Sequence, residues 1–150
     1  MTENLPNKPH YGWVIVAVST LALIVSNGLA IGGIPVFSKG IRDEFVALGA
    51  IPQAGAESFI ANCSNITFLM SGLFSMLGGW LIARAGLQIV MVTGCFCLGG
   101  GLLLHSQVQT AEMVYFARFL MGASLGFVGV APNVVLVSSW FQTSRGTALG

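Results

Sequence analysis

Four long apolar stretches, at roughly residues 13–37, 58–83, 87–106 and 112–139, fill most of this chain. A helix needs about 20 mainly apolar residues to cross about 30 Å of hydrocarbon, and each stretch reaches that length. Charge is correspondingly scarce: Asp, Glu, Lys and Arg make up 7% of the residues, against about a quarter in an ordinary soluble domain. Most of those charges stand between the stretches. Lipid offers no hydrogen bonds to the backbone, so only helices and closed barrels can span it. The residue-by-residue alternation of a barrel strand is absent. The expected fold class is an all-α membrane protein with four transmembrane helices and the start of a fifth, embedded in a lipid bilayer.

A net charge of +1 leaves no basic footprint for nucleic acid and no acidic tail. Residues 1–10 read as a short polar N-terminal tail, followed by helical bundle over 11–150. The apolar run after Trp13 is too long for the core of a cleaved signal, so the first helix reads as a signal anchor. The segment Ser38 to Glu57, with Lys39, Arg42, Asp43 and Glu44, reads as a loop, while Arg84–Gly86 and Ser106–Thr110 read as short turns. Four crossings put Lys8, Arg84 and Arg145 on one side and Lys39 and Arg42 on the other. The excess of Lys and Arg places the N-terminus in the cytoplasm of a multi-pass cell-membrane protein, the inner membrane if the source is bacterial.

Polar groups at bilayer depth are costly, so each needs a reason. Arg118 has two readings. Its long stem can carry the guanidinium out to the interface, or the charge can face a central path and meet an anion. Arg118, Gly122 and Gly126 recur every four residues, on one helix face, which tips the balance toward the second. The second stretch carries Ser58, Asn62, Asn65, Gly72, Ser75 and Gly79 along one side, suited to interhelical hydrogen bonds or to a water-filled path. Asn27 stands beside Gly28, Gly32, Gly33 and Pro35, a combination that bends helices or opens them onto a cavity. Pro132–Asn133 marks a second kink with an amide beside it. Gly28 with Gly32, and Gly122 with Gly126, have the spacing that lets helix backbones approach. His105, at a helix end, reads as an interface residue. Cys63, Cys95 and Cys97 read as small buried thiols; the spacing of the last two does not suit zinc.

No enzymatic centre emerges. The chain lacks a phosphate-binding Gly-rich loop with Lys, a paired-His metal motif and a Ser/His/Asp set, so neither cofactor nor metal is expected.

Several segments resemble the major facilitator superfamily. Gly79-Trp-Leu-Ile-Ala83-Arg84-Ala-Gly86-Leu87-Gln88 is similar to the gate-turn signature of that superfamily, and Arg118-Phe-Leu-Met-Gly122-Ala-Ser-Leu-Gly126 to its fourth-helix motif. Tyr11-Gly12-Trp13-Val14 and Trp140-Phe141-x-x-x-Arg145-Gly146-x-Ala148-x-Gly150 resemble the monocarboxylate-porter and oxalate/formate-exchanger branch. The resemblance implies twelve helices in two halves, alternating access, and a site near mid-membrane between the halves. It makes Gly79, Arg84 and Gly86 a cytoplasmic gating turn, and Arg118 with Asn27, Asn62, Asn65 and Asn133 candidates for the transport path. The implied cargo is a small organic anion, moved with a proton or by exchange, with the remaining helices as partners. Ala83 stands where the family has Asp, and Leu87 and Gln88 where it has basic residues, so the gate's charges are rearranged. On this reading the chain is an incomplete N-terminal portion. The alternative is a self-contained four-helix protein that oligomerises, as a small exporter or a scaffold.

Overall fold

The computed structural model describes residues 9–49 and 51–141, without the side chains of 9–11, 34 and 35. The polar tail through Lys8, and the motif through Gly150 that would open a fifth helix, lie outside the described residues. Six helices form in order: α1 (Pro9–Asn27), α2 (Gly33–Ala47), α3 (Ala56–Ala85), α4 (Leu87–Ser106), α5 (Ala111–Val128) and α6 (Val130–Trp140). A π-helical turn, Gly28–Gly32, joins α1 to α2, and a short 3-10 turn, Gln53–Gly55, precedes α3. Among the described residues there is no strand. They make four helical spans long and apolar enough to cross a membrane: Gly12–Ala47, Gln53–Ala85, Leu87–Ser106 and Ala111–Trp140.

The first span corrects one expectation. Ser38 to Ala47 is helix and not loop, so the span is 36 residues long. At 1.5 Å per residue that is about 54 Å, well beyond the hydrocarbon thickness. The charges Lys39, Arg42, Asp43 and Glu44 mark where apolar sequence ends, but the helix continues past it. The continuation is held from the side: Phe45 and Ile41 pack on Phe59, Cys63 and Val114, and Arg42 donates to Glu57 at 2.6 Å across the connection.

The widened turn at Gly28–Gly32 has a local cause. Pro35 has no N–H, so the Ile31 carbonyl loses its usual α-helical donor, and the glycines around it let the turn relax. Gly28 and Gly32 have no atom within 4 Å of where a Cβ would be. Their close-approach spacing therefore serves the wide turn here, which meets α5 through Ala30, buried against Met121 and Leu125, and not through the glycines themselves.

The centre of the bundle is α5, wedged between α3 and α4, with Met121 to Gly129 all buried. Glycine makes this possible on both sides. A Cβ on Gly122 would lie 2.5 Å from the Thr67 carbonyl oxygen, and one on Gly126 would lie 2.6 Å from Phe74. From the other side, a Cβ on Gly101 would lie 2.9 Å from Met121, and one on Gly94 would overlap Val128. The sequence reading found the first pair and missed Gly94 and Gly101, whose seven-residue spacing is also a one-face signal. Of the cysteines, Cys63 is buried, Cys97 half-buried and Cys95 exposed, so the buried-thiol expectation is corrected for Cys95.

Between α5 and α6 the helix breaks at Gly129. Pro132 cannot donate to the Val128 carbonyl four residues back. Asn133 replaces that donor: its Nδ2 reaches the carbonyls of Val128 at 2.6 Å and Gly129 at 2.9 Å. The kink is thus capped from within. Asn133→Leu is expected to destabilise the protein by about 1–3 kcal/mol, because the buried Val128 carbonyl, already without a helical donor, loses its partner. The unfolding midpoint in detergent reads this out; an unchanged midpoint would mean the carbonyl finds another partner.

Candidate functional site

Arg118 stands seven residues into α5, about 10 Å of rise from its start. It shares a face with Gly122 and Gly126, and α3 lies against that face. Its side chain is 1% exposed, which rules out the interface-seeking reading within this bundle. Nε and Nη1 have no hydrogen-bond partner among the described residues. The ion pairs found there join Arg42 to Asp43 and to Glu57, toward the C-terminal end of α2, so no described carboxylate answers the Arg118 charge. A buried guanidinium without a counter-charge is expensive unless an anion meets it.

The surroundings come from three other helices. On α3, Thr67 donates to the Cys63 carbonyl at 3.2 Å and lies 3.5 Å from the Arg118 carbonyl. Cys63 and His105 lie within electrostatic range of the guanidinium. His105, in the last turn of α4, is 8% exposed and stands edge-on to Phe37 of α2 at 5.5 Å, packed against protein. Nothing in the sequence around His105 signals this, because the contact comes from Phe37, which is distant in the sequence.

The remaining candidates divide. Asn62 and Asn65 are exposed and line an open groove of about 660 Å³ with Ile66, Leu69 and Tyr115. The Ser58–Gly79 stripe of α3 faces away from α4 and α5 through most of its length, with only Ser75 half-buried. Asn27 is half-buried and donates to the Leu23 carbonyl at 2.9 Å, within its own helix. Asn133 lies fifteen residues beyond Arg118, about 22 Å of rise away, with its amide nitrogen committed to the kink. The structure therefore does not gather Asn27 and Asn133 around Arg118. At the α3–α4 turn, Gly86 adopts φ 90°, a left-handed conformation that closes α3 and that other residues resist. Gly79 faces open space, and Arg84 lies over the Trp80 ring at 4.5 Å. Among the described residues no group of three His, Cys, Asp or Glu side chains is placed to hold a metal.

Over 114 residues, covering 74% of this chain and 25% of the relative, the sequence is 28% identical to the MFS-type transporter dbaD of Emericella nidulans. The chain spans about a quarter of the length of that curated relative. No family model matches the chain, and no solved structure matches it. With four apolar spans, this likeness points to a membrane protein similar to major facilitator transporters, without distinguishing a branch among them.

Proposed function

We propose that this chain forms part of a secondary transporter for a small organic anion, with Arg118 as the fixed charge that meets the anion. The observation that carries the reading is the guanidinium itself: buried, unpaired at Nε and Nη1, and unanswered by any described carboxylate. An anionic cargo supplies the missing counter-charge on arrival and returns the site to its demanding state on leaving, as alternating access requires. The monocarboxylate-like motifs favour a carboxylate. The groove beside Asn62 and Asn65 and the polar stripe of α3 suit a path completed by further helices, with Arg84 and Gly86 at the cytoplasmic turn. The N-terminus is assigned to the cytoplasm, in a multi-pass cell-membrane protein.

The test is uptake of radiolabelled carboxylates, such as lactate, formate and oxalate, by cells making the full-length product. Arg118→Ala is expected to abolish uptake at an equal membrane level, with Arg118→Lys retaining part of it. Undiminished uptake in Arg118→Ala would overturn the assignment.

A further inference from the structure

Four buried side-chain nitrogens have no hydrogen-bond partner among the described residues: Nε and Nη1 of Arg118 and both ring nitrogens of His105. They stand on two helices that pack together, α4 and α5. Gly94 packs against Val128, and Gly101 against Ala117 and Met121, so α4 and α5 run antiparallel. One turn beyond Gly101, His105 reaches the level of Val114 and Arg118, in electrostatic range of the guanidinium. From α2, the Phe37 ring stands edge-on to the imidazole. Ser38 is also buried with Oγ unpartnered, one helical turn before Ile41, which packs in the cluster of Cys63 and Val114.

A guanidinium offers only donors, while an imidazole offers one donor and one acceptor when neutral and two donors when protonated. Neither His105 nitrogen accepts from Arg118 here, and a protonated ring beside the guanidinium leaves only donors on both sides. What satisfies both is an acceptor with negative charge, and a carboxylate has two oxygens to divide between them. Around His105, α5 presents Arg118, α3 the Cys63 thiol in range of that guanidinium, and α2 the uncharged Phe37 and Ser38. No described carboxylate pairs with either group.

We propose that His105 is the second arm of the Arg118 anion site and takes up a proton together with the anion. The proposal rests on the anion reading of Arg118. A carboxylate beside the ring favours imidazolium, imidazolium adds a donor to the carboxylate, and each strengthens the other by the same factor.

The probe is sodium acetate, with sodium chloride as control, titrated into purified full-length protein in detergent. The readout is the rise in unfolding temperature at about pH 5.5 and about pH 8, which bracket histidine titration. The unaltered protein is expected to bind acetate about tenfold more tightly at the acid pH, the effect of a one-unit coupling. His105→Asn and His105→Gln are expected to keep acetate binding and lose that pH dependence, while Arg118→Ala loses binding at both. Full pH dependence in a folded His105 variant overturns the proposal and leaves the Arg118 reading standing. Binding that survives Arg118→Ala, or none in the unaltered protein, overturns both. If neither His105 variant folds, NMR of ring-labelled histidine in the unaltered protein decides. The His105 signal must move toward imidazolium on adding acetate, and a signal that stays still overturns the proposal.

Discussion

Arg118→Met is expected to make the protein more stable while removing its ability to move an anion. The guanidinium is 1% exposed with two nitrogens unpaired, so the bundle carries the desolvation of a charge and receives little in return. Methionine fills a similar volume with flexible apolar atoms. Replacement of buried charge by apolar side chains of similar size is neutral or stabilising by about 1–4 kcal/mol. Uptake should fall by about 100-fold or more, the scale of losing one partner from a buried charge contact. The two readouts are the unfolding midpoint in detergent and carboxylate uptake at matched membrane level. Their opposite directions are the signature of a charge kept for function. A marked loss of stability in Arg118→Met would show instead that the guanidinium is paired in the folded protein, by a carboxylate outside the described residues. The site would then be structural.

Gly126→Val should cost about 3 kcal/mol or more, the upper range for forcing side-chain volume into a packed core. Little can yield at this position. The first carbon added would stand 2.6 Å from Phe74, at its backbone carbonyl carbon and its Cβ, and 2.7 Å from the Ser75 nitrogen. Backbone atoms cannot rotate away as a side-chain tip does, so α3 must separate from α5 along a helical turn. Gly122→Val faces the same obstacle at the Thr67 carbonyl oxygen. Gly99 is the control, with no atom within 4 Å of its Cβ position. Gly99→Ala should stay within about 0.5 kcal/mol. Yield of folded protein and unfolding midpoint measure all three. Equal behaviour of Gly126→Val and Gly99→Ala would mean that α3 and α5 are not in backbone contact.

The spans were legible because the bilayer sets a local requirement. Whether about 20 consecutive residues are apolar depends only on those residues, and no partner can change the answer. The face of α5 carrying Arg118, Gly122 and Gly126 was legible for a similar reason, since a 3.6-residue period needs no knowledge of neighbours. The Pro132–Asn133 kink was visible as a kink. Its chemistry also lay in the sequence, because a proline strips the donor from a known carbonyl and the next side chain is an amide.

Local sequence settles the solvent, the helical class, and which residues share a helix face. What each face meets is settled by how the helices pack. Charges at Lys39 to Glu44 mark the edge of lipid, yet the helix runs on to Ala47 because Ile41 and Phe45 find Phe59, Cys63 and Val114. Phe37, at the end of the first apolar stretch, stands edge-on to His105, and the pairing of Gly94 and Gly101 with α5 sets His105 near the level of Arg118. His105 and Arg118 come within electrostatic range only because three helices slide to one register. Register is a sum of weak contacts between distant segments, and no stretch of sequence holds that sum alone.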